Sequence, residues 1–197
     1  MYTCFVDFQK AFDSVWHKGL FRKLENKGIN GCFLDLIKDI YRKTKCAVKI
    51  NGKSTGFFNY AKGVQQGNPL SPILFNLYIN DLLNEMKNED AVSLDDNYFF
   101  NALMYADDVI IFATSEQGMQ KCLDKLDEFC NTWKLRINLK KTKCMTFSKG
   151  TNTKKVNFTS NSKLIENTKE YKYLGITINC KDCSFTPTLS DLSGKAN

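Results

Sequence analysis

An α+β fold is predicted by three features of this 197-residue sequence: short β-branched and aromatic runs that end in aspartate, apolar stripes at helical spacing, and turn residues between them. Cys4-Phe5-Val6 is the first such run and delivers Asp7 at its end. Leu20, Phe21 and Leu24 then predict a helix stopped near Gly28, and Phe33, Leu34, Ile37, Ile40 and Tyr41 a second one. Asn51-Gly52, between Val48-Lys49-Ile50 and Lys53-Ser54-Thr55, is the turn pair of a type I′ hairpin. In the loop Gly63 to Pro72, Gly67 suits a backbone position closed to other residues or a close approach of a ligand to the main chain. Ser71-Pro72 reads as N-cap and N1 of a helix with the stripe Leu74, Tyr78, Leu82 and Met86. Asn88 to Asn97 reads as a polar loop, and Leu103-Met104 and Val109-Ile110-Ile111-Phe112 as two buried strands joined by a tight turn. Thr114 and Gln117 suggest a capping box for a helix with the stripe Met119, Leu123, Leu126, Cys130 and Trp133. Lys149 to Lys163 reads as a flexible connection before a last hairpin. The stripes are core rather than function.

Composition agrees with a single soluble domain: 43% of residues are hydrophobic, no stretch has the apolar length of a membrane span, and the first residues lack the basic and apolar parts of a signal peptide. The eight cysteines lie mostly in apolar segments, which suggests core thiols in a reducing, intracellular compartment. Cys180 and Cys183 make one CxxC pair, a weak zinc signal without a second pair. The net charge of +7 points to a polyanion. Eight basic residues between Lys134 and Lys155, with no acidic one, suggest phosphate contact; the plainer reading is a solvated basic surface.

Chemistry concentrates in Tyr105-Ala106-Asp107-Asp108. Adjacent carboxylates repel, and a divalent cation relieves that repulsion. An Asp-rich turn is the ordinary alternative. Asp7 tips the balance, because it ends another apolar strand and would complete an oxygen-rich cluster suited to Mg²⁺ or Mn²⁺. Zinc would want His and Cys, and the sequence has one His.

Taken in order, these segments resemble the palm of reverse transcriptases, most closely those of non-LTR (LINE-like) retrotransposons. Asp7 through Asp13 resembles the first polymerase motif, Gln66-Gly67-Asn68-Pro69-Leu70-Ser71-Pro72 the second, and Tyr105-Ala106-Asp107-Asp108 the third. Leu135 through Thr142 resembles the fourth motif, and Tyr171-Lys172-Tyr173-Leu174-Gly175-Ile176 the fifth, the primer grip. The resemblance implies a polymerase palm in which an antiparallel sheet packs on helices. It assigns residues 1–178 to the palm with its primer-grip hairpin, and 179–197 to the start of a connection toward a thumb. Because six residues precede Asp7 and few follow the primer grip, the chain is expected to lack most of the fingers and thumb and to be a fragment or decayed copy.

The implied activity is RNA-directed DNA synthesis by two-metal phosphoryl transfer, with Asp7, Asp107 and Asp108 catalytic. Two Mg²⁺ ions, or Mn²⁺, would be held by these carboxylates and the main-chain carbonyl of Phe8. Phe12 would exclude a ribose 2′-hydroxyl, Gln66 and Gly67 would contact the incoming nucleotide, and Lys141 would donate a proton to pyrophosphate, with Lys140 and Lys143 as rivals. Asp13 would begin the next helix. Tyr105, Tyr173, Leu174, Gly175, Lys140 and Lys143 would touch primer or template. Partners would be RNA template, DNA primer and dNTPs, with action in the nucleus. Gln65 departs from the arginine expected there, which puts one local contact in doubt. Maturase and telomerase relatives share these motifs. RNA-templated RNA synthesis is disfavoured by Phe12 and Ala106, and a non-catalytic nucleic-acid-binding remnant is the alternative from another class.

Overall fold

The computed structural model describes residues 1–95, 97–148 and 156–180. The principal elements along the chain are β1 (Tyr2–Val6), α1 (Ala11–Ser14), α2 (His17–Asn26), α3 (Gly31–Lys43), α4 (Leu70–Ile79), α5 (Leu82–Glu85), β2 (Ala102–Tyr105), β3 (Asp108–Ala113), α6 (Glu116–Trp133), β4 (Lys143–Thr146), β5 (Glu166–Asn167), β6 (Glu170–Tyr173) and β7 (Ile176–Asn179). They fall into two compact units: Met1–Phe8, Leu83–Glu128 and Ile137–Asn197 form one, and Gln9–Leu82 with Phe129–Arg136 the other. None of the described helices is long and apolar enough to cross a membrane. The seven described cysteines are free, whereas Cys183 lies outside the described residues.

The first unit is framed by a five-stranded sheet in the order β5-β4-β1-β3-β2. β1 is central and antiparallel to both neighbours, and Thr3 to Val6 are buried, which explains an unbroken apolar run instead of an alternating one. β2 is an edge strand with Leu103 50% exposed, so only one of the two runs flanking the aspartate pair is buried. Leu103 pairs with Ile110 and shares the face of its apolar cluster, but at the sheet edge it is left half exposed. Phe5, Ile110 and Met145 form an apolar cluster on one face, and the β6–β7 hairpin lays Tyr171, Tyr173 and Ile178 against it. Leu174 (φ 47°) and Gly175 (φ 84°) supply the two left-handed positions of its turn.

Helix α6 is capped one residue later than Thr114 and Gln117 suggest. The Gly118 N–H donates to Ser115 Oγ at 2.9 Å, while Thr114 bonds the Asp90 carbonyl through its own N–H and hydroxyl. Gly118 is required for packing, since a Cβ there would lie 2.3 Å from Asp90 Cβ. The expected polar loop Asn88 to Asn97 contains strand: Val92–Ser93 pairs with Phe99–Phe100, whose aromatic side chains favour it. In the expected flexible connection, residues 149–155 lie outside the described residues, among them Lys149, Lys154 and Lys155 of the basic tract. The remainder is a hairpin, Thr159–Ser160 with Lys163–Leu164. Its turn is tied down by the Asp127 carboxylate, which accepts from Ser160 Oγ (2.7 Å) and Asn161 Nδ2 (2.8 Å).

In the second unit α2 packs on α3 and α4. Helix α2 ends in a Schellman motif at Gly28 (φ 81°), with Ile29 N–H donating to the Leu24 carbonyl and Gly28 N–H to that of Glu25. On α3, Leu34, Ile37 and Tyr41 are buried, but Phe33 and Ile40 face solvent, because the core covers a narrower stripe than the sequence offers. Asn51 (φ 49°) and Gly52 (φ 79°) make the expected two-residue hairpin turn. Helix α4 begins at Leu70, earlier than the Ser71 cap predicted: Asn68 Oδ1 accepts from Leu70 N–H at 2.9 Å, and Pro69 (φ −58°) is already helical. Its stripe is buried through Met86, but the helix breaks at Asn80-Asp81 before α5.

A lysine sits in the core of this unit. Lys23, 1% exposed, donates to the Tyr78 carbonyl at 2.6 Å and pairs with Asp81 at 3.4 Å. Its ammonium lies over the rings of Trp133 and Phe129, 4.0 and 4.4 Å from their centroids. Burial pushes the Tyr78 phenol up to about 12, so it stays protonated and donates to the Trp133 carbonyl.

Candidate active site

Sheet register assembles the acidic cluster. β1 pairs with β3 from Tyr2↔Ala113 to Val6↔Val109, and one further step sets Asp7 opposite Asp108. Alternation puts both on the face of Phe5 and Ile110, beneath the β6–β7 hairpin. Asp107 occupies the two-residue turn between β2 and β3, where Tyr105 pairs with Asp108. Ala106 precedes it at φ 53°, a left-handed conformation costing a non-glycine residue about 1 kcal/mol. Tyr105 is exposed at the strand end.

The charges of this cluster are felt mutually. Burial first, and then the Asp107 and Asp7 carboxylates, raise the Asp108 carboxyl, with Lys141 acting the other way. Burial likewise raises the Tyr171 and Tyr173 phenols, reinforced by Asp7 and Asp108 at Tyr171 and by Asp108 at Tyr173. Tyr171 stacks on Phe5 with centroids 4.2 Å apart, and the Tyr173 hydroxyl donates to the Asp108 carbonyl at 3.5 Å. The hairpin thus closes one side of the acidic face, while Leu174 at its tip is exposed.

Asp7 is held by residues that motif matching left without a role. Asn138 donates its N–H to the Asp7 carbonyl at 2.8 Å and its Nδ2 to Asp7 Oδ2 at 2.9 Å. The Asp7 N–H donates to Thr142 Oγ1 at 3.2 Å. Both residues lie in the fourth-motif stretch, and a side-chain amide two residues before a run of lysines was the available signal. Phe8 is buried and extends this pairing through a bridge to Ile137.

Of the three candidate lysines one lies beside Asp7. β1 and β4 pair from Tyr2↔Thr146 to Phe5↔Lys143, and beyond that pairing the turn from Asn138 to Thr142 brings Lys141 to Asp7. Lys141 Nζ lies 3.6 Å from Asp7 Oδ1 and remains 69% exposed. Lys143 instead pairs with Glu166, and Lys140 is exposed.

The donor set is chemically that of a hard cation: carboxylate oxygens, one of which is raised by burial and then by the charge of its neighbours. As arranged, Asp7 is turned to Asn138 and Lys141, and among the described residues no three His, Cys, Asp or Glu side chains converge as a metal cage.

Within the second unit, Phe12, Gln66 and Gly67 share a cavity of about 420 Å³ with Asn68, Pro69 and Ser71. Phe12 stacks on the buried Phe75, centroids 4.5 Å apart, which fixes its ring as a wall. Gly67 has φ 84° and nothing within 4 Å of a would-be Cβ, so backbone conformation is what calls for glycine there. Gln66 Nε2 donates to Asp13 Oδ1 at 3.3 Å. Asp13 itself lies in the first turn of the short helix α1, as its acidic side chain suits. Gln65 bonds Thr44 and Asn68.

Residues 1–178 match the family model described as reverse transcriptase (RNA-dependent DNA polymerase). The chain is 34% identical over 185 residues to the Pol polyprotein of type-2 retrotransposable element R2DM from Drosophila melanogaster, covering 89% of this chain and 17% of that protein. It is 30% identical to the RNA-directed DNA polymerase from mobile element jockey of the same species, covering 90% and 19%. The chain therefore spans less than a fifth of either relative. Among solved structures, telomerase from Candida albicans, in complex with a telomeric RNA fragment, superposes with a TM-score of 0.64 at 13% identity, over 93% of this chain and 30% of that one. That likeness establishes a shared fold.

Proposed function

We propose, from the premise that this chain belongs to the reverse transcriptase (RNA-dependent DNA polymerase) family, that it is the palm-bearing part of a non-LTR retrotransposon enzyme that extends a DNA primer along an RNA template. The observation that carries this reading is the grouping of Asp7 at the end of β1 with Asp108 at the start of its partner strand, Asp107 in the adjoining turn and Lys141 3.6 Å from Asp7.

Asp7, Asp107 and Asp108, with the Phe8 carbonyl, would hold two Mg²⁺ ions, for which Mn²⁺ can substitute. When bound, such ions lower the pKa of the primer 3′-hydroxyl and neutralise charge on the leaving pyrophosphate. Asn138 and Thr142 fix where Asp7 points. Lys141 lies free enough in solvent to exchange its contact with Asp7 for a triphosphate oxygen, and it is the proton donor we assign to pyrophosphate. Phe12, backed by Phe75, is the wall that leaves no room for a 2′-hydroxyl, while Gln66 and Gly67 bind the nucleotide. Tyr105 and the hairpin tip Tyr173-Leu174-Gly175 contact the primer terminus; Lys140, and less favourably the ion-paired Lys143, contact template or primer phosphates. Residues 1–178 then make up the palm; of 179–197, taken as the start of a connection toward a thumb, 181–197 lie outside the described residues. RNA template, DNA primer and dNTPs are the partners, and the nucleus is the site of action.

The test is primer extension by a longer protein containing this chain, on poly(A) with oligo(dT) and dTTP. Asp7→Asn and Asp107→Asn should each lower the rate by at least about 10³, because each removes charge from a site whose task is charge stabilisation. Near-normal extension by either variant would leave a nucleic-acid-binding chain without this catalysis.

A further inference from the structure

The positive charge of this protein is not where its lysine-rich stretch suggests. The second unit carries fourteen lysine and arginine residues against five aspartate and glutamate residues, a net charge of +9, although the whole chain carries +7. The remaining residues are therefore slightly acidic. The second unit is therefore the larger source of attraction for a polyanion, beside the local Lys140, Lys141 and Lys143 of the first.

That unit has a second cavity, separate from the one lined by Phe12 and Gln66. It measures about 490 Å³ and lies between α2, α3 and the segment after Phe58–Asn59. Four rings line it: His17, Phe21, Tyr41 and Tyr60. His17 is their hub, with centroid distances of 4.8 Å to Tyr41, 5.8 Å to Tyr60 and 6.2 Å to Phe21. Its Nε2 lies 2.7 Å from the Gly63 carbonyl, which fixes the ring in place. Tyr41 is buried, whereas the other three are partly open, so they present aromatic surface to the cavity while Tyr41 supports them. Lys38 and Arg42 stand one helical turn apart on α3 at its rim, and no carboxylate lines it. Arg42 is weakly held, 3.4 Å from Asp39 and 76% exposed, while Lys38 pairs at 2.9 Å with Glu25, itself exposed. Exposed ion pairs contribute little, so exchanging them for phosphate costs little.

We propose that this cavity takes one base of a single-stranded nucleic acid, stacked against the His17–Tyr60 wall, with the adjoining phosphate on Arg42 and Lys38. Its volume fits the range of ligand sites, about 300–1,000 Å³, and exceeds what a base alone requires. Rings supply stacking that tolerates any base, and the cations supply affinity without sequence preference. The occupant is a strand and not a duplex, because a paired base cannot leave its stack to enter. The proposal rests on the polymerase reading only in expecting a nucleic-acid partner.

The experiment measures fluorescence anisotropy of the whole chain with three probes: a labelled 12-nucleotide oligo(U) RNA, its DNA counterpart, and a blunt RNA–DNA duplex. Tyr60→Ala should weaken single-strand binding about five- to hundredfold, as expected for loss of one stacked base, whereas Tyr60→Phe should retain it. Arg42→Ala, at an exposed position that does not threaten folding, should reduce the salt dependence of log affinity by about 0.7, one phosphate contact. Blunt-duplex binding should change less than twofold in all three variants. If single-strand affinity is indifferent to Tyr60→Ala and Arg42→Ala while the duplex still binds, the cavity is not a strand site and the polymerase reading stands. Equal weakening of strand and duplex would also overturn it, since it would make Arg42 a general phosphate contact. If no probe binds the unaltered chain, both readings fall. Competition of the strand by a free nucleoside monophosphate at equal concentration would mean a nucleotide site and would overturn the strand assignment.

Discussion

Removing the Asn138 side chain should slow nucleotide addition without abolishing it. Asn138 gives Asp7 two things, a backbone N–H to its carbonyl at 2.8 Å and a side-chain donor to its carboxylate at 2.9 Å. Asn138→Ala deletes only the second. The Asp7 main chain stays pinned by the first and by its own bond to Thr142, so the effect isolates carboxylate orientation. A hydrogen bond to a charged group is worth about 1.5–3 kcal/mol. The Asp7 side chain is 25% exposed and keeps Lys141 at 3.6 Å, which discounts the loss to about 1–2 kcal/mol. If that orientation is needed equally in the transition state, the rate falls about five- to thirtyfold. Asn138→Asp should do worse, since it replaces a donor with a like charge. The assay is single-turnover dTTP incorporation by a longer protein containing this chain at saturating Mg²⁺, beside Asp7→Asn. A change below twofold in Asn138→Ala would show that the bond does not orient the carboxylate, and a loss of 10³ or more would show that Asn138 is part of the chemistry.

Three further outcomes follow from named contacts. In metal-free buffer, Asp108→Asn should melt at a higher temperature than the unaltered chain at pH 7: the folded state raises this carboxyl, so ionising it costs stability as pH rises through its folded pKa, and the gap should close on acidification toward about pH 4. Equal melting temperatures at pH 7 would remove the crowding of charge from the account. Lys23→Ala should lower unfolding free energy in a urea titration by at least about 3 kcal/mol, since it opens a cavity beneath Trp133 and strips the Tyr78 carbonyl of its donor. Lys23→Met should cost less than about 1.5 kcal/mol, because a similar volume remains and no charge has to be desolvated; two equal losses would mean that charge, not packing, matters there. Phe12→Val should raise UTP use relative to dTTP in primer extension, and an unchanged ratio would return Phe12 to a purely packing role against Phe75.

Much of the fold was readable wherever one local rule decided the structure. Gly28 and Asn51-Gly52 stop a helix and turn a hairpin because left-handed positions leave few alternatives. Helix starts were displaced where neighbouring polar residues competed, as Ser115 did with Thr114 and Asn68 with Ser71. The buried look of Leu103-Met104 misled because an apolar run does not reveal whether a strand is central or at an edge. At the site, the three aspartates were legible as strand ends. Lys141 was preferred to Lys140 and Lys143 by resemblance; its place beside Asp7, and the bonds Asn138 makes there, were not legible. Both depend on contacts between segments more than 130 residues apart, to which local pattern is blind.

The central place of β1 has a cost during synthesis. Its partners are the strand ending at Ala113 and the strand ending at Thr146, so this buried strand leaves the ribosome with neither side matched. At about 5–20 residues per second, roughly 7–30 s pass before the later partner emerges. Until the Ala113 strand emerges both hydrogen-bonding edges of Tyr2–Val6 are open to other chains, and one stays open until the Thr146 strand follows; contacts of such long sequence separation form slowly. Recovery of soluble protein should therefore respond to translation speed and chaperone supply more than to changes in the folded core.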